Sequence, residues 1–282
     1  MSDELKRGVS HGSAIRFLSV QASEAVTIAR QRHNLDDAAT VVIGKAMIAA
    51  LMMSAHIKGE ERITMQLQCE EPRLSLICDV DANGHIRARL SPTHLRGETE
   101  LLDGLMLVIK HNASEELYRG ITEIKNEGIP QALARHLATS SQVETALRFA
   151  VSTAADGTVQ AAGLLVERMP SAPGLPSLSP EEFAALYGDL AEADPGPLFT
   201  ELERGQLRTQ DLLPAEIRPV AWRCHCSQHR VEGMLVALGV EELHSMLTED
   251  NGASVTCHFC NLQYTVTGAR LAELIASLGV DT

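Results

Sequence analysis

The sequence of 282 residues predicts an α+β protein in three parts. Apolar and polar residues alternate in short runs joined by tight turns, which is typical of a mainly antiparallel sheet packed with helices. A segment rich in proline, glycine and serine follows at 170–180, as expected of a linker. Four of the six cysteines cluster near the end of the chain. We therefore predict a core domain at 1–170, a linker region at 171–216 and a small C-terminal module at 217–282.

Two helices are predicted near the start of the core domain. A helical pattern covers 22–33 and ends at Asn34, which favours helix termination. Asp36 and Asp37 can cap a second helix, which is apolar around most of its circumference. Its most apolar run, 41–57, is too short and too polar to span a bilayer, so we expect a buried helix.

Strands dominate the rest of the core domain. We predict one further helix at 129–138 and strands at 63–67, 74–80, 85–90, 105–109, 117–124, 144–153 and 158–166. Turns such as the one around Gly84 and the one around Gly157 are short, so strands adjacent in sequence should pair antiparallel.

The second half of the chain has fewer apolar residues to anchor it. In the linker region we predict a helix at 181–190 and a weakly helical, charged stretch at 200–212, and we expect this region to be the least stable part of the protein. The C-terminal module should contain two short helices around 234–238 and 243–247, a hairpin that turns after Cys257, and a closing helix at 271–278.

Composition narrows the classes of function. The formal net charge of −13 gives an anionic surface that repels phosphate backbones, so we expect no nucleic-acid partner. The first residues are charged and polar with no apolar stretch behind them, so we expect no secretory leader, no membrane association and a cytoplasmic protein. Thiols stay reduced in that compartment, and the six cysteines then need an explanation other than structural disulfides.

The clustered cysteines have the spacing of a metal site. One residue separates Cys224 from Cys226, two separate Cys257 from Cys260, and thirty lie between the pairs. A two-residue gap in a tight turn directs both sulfurs at one ion, and zinc takes four such ligands in a tetrahedron. Four thiolates leave no position for a reacting water. We therefore predict one zinc ion per chain, bound by these four cysteines, in a protein that is not an enzyme.

Folding of the module and metal occupancy should be coupled. About 65 residues with a thin core are marginal alone, and a structural zinc contributes roughly 10–16 kcal/mol of apparent binding free energy in small fingers. Oxidation of the sulfurs should release the metal and unfold the module. Each pair is close enough in sequence to form its own disulfide, although the Cys224–Cys226 ring would be strained and more readily reduced. Such a bond suits a reversible switch.

Other interpretations of these residues stay open. The module could be a constitutive zinc-stabilised interaction module without a redox response, or an iron–sulfur or rubredoxin-like centre. His225, His229 or His258 could replace one cysteine ligand. The segment from Cys257 to Cys260 superficially fits a thiol oxidoreductase, but a thioredoxin-like context around it is missing.

The other two cysteines and three of the nine methionines have simpler interpretations. Cys69 and Cys78 lie singly in apolar strands, where cysteine is usually an inert small hydrophobic residue. Met47, Met52 and Met53 could form an adaptable binding surface, but such residues more often belong to the core.

Several segments together have the pattern of a known family. The pattern begins with the cysteine spacing, with Ser227 after the first pair and Tyr264 after the second. Between the two pairs the segments 238–243 and 247–250 also fit the family pattern. Upstream, the segments 51–58, 63–68 and 157–163 fit it in the same order along the chain. On these residues, which cover nearly the whole chain, the protein resembles the heat-shock protein 33 family of redox-regulated zinc chaperones.

The resemblance implies an ATP-independent holdase chaperone. In that family the reduced, zinc-bound form is quiescent. Peroxide with unfolding stress, or hypochlorous acid, oxidises the four cysteines and ejects zinc. The linker then loosens and exposes apolar surface that binds unfolded client proteins, usually as a homodimer. Clients pass later to ATP-driven foldase chaperones.

Overall fold

The structure is a computed structural model that describes residues 2–10, 15–95, 100–141, 143–169, 178–188 and 212–278. The chain divides into two compact units, Met1–Arg223 and Cys224–Thr282. Residues 217–223 thus belong to the first unit, although the sequence predicted a C-terminal module that starts at 217. Much of the expected linker region, including nearly all of the weakly helical stretch at 200–212, lies outside the described residues.

The described part of the first unit contains two sheets and four helices. In chain order its elements are β1 (Glu4–Ser10), β2 (Ile15–Gln21), α1 (Ser23–His33), α2 (Asp37–Ser54), β3 (Arg62–Glu71), β4 (Arg73–Asp81), β5 (His85–Ser91), β6 (Leu102–His111), β7 (Glu116–Glu127), α3 (Ile129–Ser141), β8 (Thr145–Thr153), β9 (Val159–Arg168), α4 (Pro180–Tyr187), β10 (Leu212–Pro219) and β11 (Ala221–Trp222). The predicted helices and strands of the core domain are all confirmed within a few residues.

Strand pairing is antiparallel almost throughout. One sheet has five strands in the order β10-β1-β2-β9-β8, and the other has six in the order β11-β5-β4-β3-β6-β7. The two-residue strand β11 runs parallel to β5 and is the exception. The predicted α+β class with a mainly antiparallel sheet is therefore confirmed. Prediction missed β1, β2, β10 and β11.

Helix α2 forms the centre of the first unit and contacts strands of both sheets. The carboxylate of Asp36 accepts a hydrogen bond of 2.8 Å from the backbone N–H of Ala39, so the predicted cap is confirmed. Among the described helices, α2 alone has the length and apolar content that a membrane span needs, and 72% of it is buried inside the protein. The prediction of a buried helix is confirmed, and Met47 and Met52 are core residues.

The second unit is a small α+β module. Its elements are α5 (Gln228–Val236), α6 (Val240–Glu249), β12 (Gly252–Thr256), β13 (Gln263–Thr267) and α7 (Gly268–Leu278). Strands β12 and β13 form the predicted hairpin. Its core consists of a few buried residues, which are Val231, Leu235, Leu243, Val266 and Leu271. So small an apolar core contributes little stability to the module.

Candidate metal centre

The first cysteine pair lies just before α5, in a segment that is neither helix nor strand. The Ser227 side chain caps this helix by accepting a hydrogen bond of 3.2 Å from the backbone N–H of Arg230. A capped N-terminus fixes where the helix begins. The cap therefore also fixes the position of Cys224 and Cys226, which immediately precede it.

The second pair lies in the turn between β12 and β13. The backbone N–H of Cys257 donates to the carbonyl of Leu262 at 2.9 Å, and the N–H of Asn261 donates to the carbonyl of Cys257 at 2.7 Å. Asn261 has a φ of 57°, a left-handed conformation that asparagine adopts more readily than most residues. The closed turn holds Cys257 and Cys260 close to each other.

The four sulfurs meet in one cluster, in which every Sγ atom lies within 4.8 Å of the others. The Sγ atoms of Cys226 and Cys260 are 3.2 Å apart, and those of Cys224 and Cys257 are 3.7 Å apart. A tetrahedral zinc site with bonds of about 2.3 Å has sulfur–sulfur edges of roughly 3.8 Å. Small movements therefore suffice for this cluster to bind such an ion.

No other group of candidate metal ligands is present among the described residues. The cluster consists of cysteines alone, and His225, His229 and His258 do not belong to it. The structure thus brings together the four cysteines that the spacing singles out and leaves out the histidines that could have replaced one of them.

Burial and hydrogen bonding act in opposite directions on the thiols. Burial raises the pKa of Cys226, whereas a hydrogen bond of 3.0 Å donated by the Tyr264 hydroxyl lowers it. Burial also raises the pKa of Cys260, which is 2% exposed. The bond to Cys226 in turn raises the pKa of Tyr264. Without a cation these sulfurs therefore favour the neutral thiol, and a bound metal would favour the thiolate.

Tyr264 is the residue of this site whose role the sequence did not predict. The family pattern includes this tyrosine, but its contact with Cys226 depends on how β13 lies against the segment before α5. The available signal was an alternating strand with a tyrosine four residues after Cys260.

The two cysteines outside the cluster are in the core of the first unit. Burial raises the pKa of Cys69 to about 11, and burial also raises the pKa of Cys78, which has no exposed surface. Thiols that stay protonated and inaccessible react slowly with oxidants. This agrees with the interpretation of both residues as inert parts of the core.

Fold and site together define a class: an α+β protein with two sheets around a buried helix, followed by a small module with four clustered thiols. The family model described as Hsp33 protein matches residues 3–267. The chain belongs to the Hsp33 family, as the resemblance had indicated.

Relatives of this chain match along almost their whole length. The 33 kDa chaperonin of Gloeobacter violaceus is 32% identical, over 99% of this chain and 97% of the relative. The 33 kDa chaperonin of Citrifermentans bemidjiense is 30% identical, over 99% and 98%. The crystal structure of the Hsp33 homologue from Thermotoga maritima has a TM-score of 0.83 at 22% identity and covers 100% of both chains, which shows a shared fold.

Proposed function

We propose that this protein is a redox-regulated, ATP-independent holdase chaperone whose switch is a zinc ion bound by Cys224, Cys226, Cys257 and Cys260. The observation that carries the proposal is the cluster of four thiols within a unit of very small core, in a chain that belongs to a chaperone family. The protein is not an enzyme in this proposal, because four protein ligands would fill the coordination sphere.

The metal would stabilise the fold of the module. Bound zinc supplies a positive charge that keeps the four sulfurs as thiolates. The four ligands join the segment before α5 to the hairpin turn, two parts of the module more than thirty residues apart in sequence. Few buried residues otherwise hold them together. Loss of the metal should therefore unfold the module.

Oxidation would remove the ligands as two disulfides. In each, two thiolates lose two electrons in total, and one hydrogen peroxide takes up these electrons together with two protons from solvent and becomes two waters. We propose the pairs Cys224–Cys226 and Cys257–Cys260. The shortest sulfur contacts in the folded module instead join Cys226 to Cys260 and Cys224 to Cys257. Once the module unfolds, however, closing a very short loop costs less chain entropy than closing one of more than thirty residues. Peptide mapping of the oxidised protein by mass spectrometry distinguishes the two pairings.

Helix α4 covers an apolar surface that clients could bind. Phe183 on this helix is 5% exposed and packs on the outer face of the five-stranded sheet. The residues of that face are small or aliphatic: Ile15, Ala146, Ala150, Ala162, Leu164 and Val166. If the linker region loosens when the switch opens, α4 leaves and this face becomes available to unfolded proteins.

The partners in this proposal are unfolded client proteins, a second copy of the chain in the active homodimer, and ATP-driven foldase chaperones that receive the clients. Nucleic acids and membranes are not partners, and the protein acts in the cytoplasm. The net charge of −13 supports the exclusion of nucleic acids, because an anionic surface repels their phosphates.

Zinc release and client protection measured on one sample test the proposal. The reduced, zinc-loaded protein is exposed to peroxide at a mildly unfolding temperature. We expect about one zinc per chain to appear in a chromogenic chelator assay, and the same sample to suppress light scattering by an aggregating client. The Cys69→Ala variant, which removes a thiol outside the cluster and adds no polar group to the core, should behave like the parent protein. Suppression that is equally strong before oxidation would favour a constitutive zinc-stabilised module instead.

A further inference from the structure

A cavity in the first unit takes no part in the proposed switch or in the proposed client surface. Its volume is about 270 Å³, and it lies where strands of both sheets meet the ends of α2 and α3. Much of its wall is aliphatic and consists of Met53, Ile57, Ile63, Val108 and Leu137. A concave site with an apolar wall and a few polar groups is typical of a binding site for a small molecule.

Arg16 lines this cavity and has unused hydrogen-bond donors. Its Nε atom donates to the carboxylate of Glu167, whose side chain is 3% exposed. Within the part of the chain that the structure describes, the two terminal nitrogens of Arg16 donate no hydrogen bond. A guanidinium group can donate two parallel hydrogen bonds to a carboxylate. Arg16 is therefore able to bind an anionic group although Glu167 balances its charge.

Two further groups give the cavity a positive character. Lys110 lies on its wall, with its Nζ atom 2.9 Å from Oε1 of Glu61, and both side chains are partly exposed. Burial lowers the pKa of His56, which also lines the cavity. Among the nearby charges, Glu167 raises this pKa but is outweighed by the cations, which are Arg16, Arg7 and Lys110. The cavity therefore favours an anion, in a chain whose net charge is −13.

We propose that this cavity binds a medium-chain fatty acid, with its carboxylate against Arg16 and Lys110 and its alkyl chain against the aliphatic wall. The ammonium group of Lys110 has three donors, so it can bind the ligand and keep Glu61. The volume limits the length of the chain. At about 30 Å³ for a group of the size of a water molecule, the cavity has room for roughly nine such groups. Octanoate is of about this size.

His56 should link binding to pH. The carboxylate brings a negative charge close to this side chain and favours its protonated form, so the pKa of His56 rises on binding. Binding then takes up a proton, and the affinity increases as the pH falls through the range in which His56 titrates. The fatty acid itself stays ionised between about pH 6 and about pH 8. We expect octanoate to bind roughly threefold tighter at the lower of these pH values, and His56→Gln to remove the difference.

Isothermal titration calorimetry of the reduced, zinc-loaded full-length protein tests the site. Octanoate, kept below the concentration at which it forms micelles, should bind at one site per chain. Each methylene added between butanoate and octanoate should tighten binding roughly fourfold, because the cavity buries it. Octanoate should bind roughly a hundredfold tighter than acetate, which has the charge without the chain. It should bind roughly tenfold tighter than 1-octanol, which has the chain without the charge.

Two variants locate the site. Lys110→Gln removes a charge from the cavity wall and should weaken octanoate binding roughly tenfold. Lys125→Gln is the matched control, because Lys125 also pairs with a glutamate, Glu123, but does not line the cavity. Met53→Trp fills part of the cavity and should weaken binding at least as much. Circular dichroism checks that each variant is folded, and the lysine variants decide the test if Met53→Trp is not.

Several results would overturn this site. They are binding of octanoate that does not saturate, equal affinities for octanoate and 1-octanol, and equal affinities in Lys110→Gln and Lys125→Gln. A pH dependence that persists in His56→Gln would remove His56 from the site. The titration uses reduced protein and needs no client, so its failure leaves the proposed redox switch standing, and a failed switch leaves this site standing.

Discussion

At the scale of single residues, the four clustered cysteines could be predicted from the sequence, whereas the contact of Tyr264 with Cys226 could not. The spacing of Cys224, Cys226, Cys257 and Cys260 predicted which sulfurs would meet, because two closely spaced pairs together supply the four ligands that one zinc ion takes. The hydrogen bond from Tyr264 to Cys226 joins residues 38 positions apart and could not be predicted in that way, since no ligand count demands it. Such outer contacts orient the ligands of a metal site, and their loss typically lowers metal affinity about ten- to a hundredfold.

Removing that hydroxyl should weaken metal binding without removing a ligand. In Tyr264→Phe, Cys226 loses the donor that stabilises its thiolate, so we expect zinc affinity to fall roughly ten- to a hundredfold. Competition with a chromogenic chelator measures the affinity. Tyr118→Phe, in the first unit, serves as the matched control and should bind zinc as the parent does. An unchanged affinity in Tyr264→Phe would mean that the hydroxyl plays no part in holding the metal.

A second residue-scale prediction concerns the ion pairs on the six-stranded sheet. Burial raises the pKa of Asp79, but hydrogen bonds and charge interactions with Arg62 and Arg87 outweigh it, so this pKa lies below its usual range. The closest contacts to the two guanidinium groups are 2.9 and 2.8 Å. A carboxylate whose pKa is lower in the folded state stabilises the fold above its unfolded pKa of about 3.9, and this contribution is lost as the pH falls through the folded value.

Replacing this carboxylate should therefore lower the free energy of unfolding by an amount that depends on pH. We expect Asp79→Asn to lower the free energy of unfolding by roughly 2–3 kcal/mol at neutral pH, because two half-buried arginines lose the charge of this carboxylate. The difference from the parent should shrink below about pH 4. Urea titrations followed by the fluorescence of Trp222, the single tryptophan, measure both values, with the exposed Glu115→Gln as the control. A difference that persists unchanged at acid pH would exclude a charge effect.

At the scale of elements, local patterns predicted most helices and strands of the core domain but not every strand pairing. The hairpin β8–β9 and helix α2 were predicted because periodicity and turn residues lie within a few positions. Strand β1 was missed because its sequence, with Lys6 and Arg7 at its centre, is polar, and because one of its two partners, β10, lies about 200 residues away. This pairing and that of β11 with β5 explain why the first unit extends to Arg223.

Helix α4 supplies the sharpest test at this scale. It carries two large apolar residues with opposite environments: Phe183 is 5% exposed on the sheet, and Leu186 is 64% exposed. In Phe183→Ala the helix loses its main contact with the outer face, so we expect client protection and binding of a hydrophobic dye to rise in the zinc-loaded protein before any oxidation. Leu186→Ala, the control on the same helix, should change neither. Equal behaviour of the two variants would mean that α4 does not cover the client surface.

At the scale of the whole molecule, stability is divided unequally between the two units. The first unit has a large continuous core around α2, whereas the described part of the second has an apolar cluster of five buried residues and a cluster of four thiols. Loss of the metal should therefore unfold the second unit and leave the centre of the first intact. Because the two units differ in stability, oxidation of the cysteines can unfold the second unit and leave the first folded.

Hydrogen exchange measured by mass spectrometry tests this central claim most directly. The zinc-loaded protein is compared with the same protein after its thiols have been oxidised and its metal removed. We expect backbone amides in α5, α6, α7 and the β12–β13 hairpin to lose their protection, while amides of α2 keep theirs. Unchanged protection across 224–278 after oxidation and metal loss would contradict the account, because the module would then stay folded without the zinc ion.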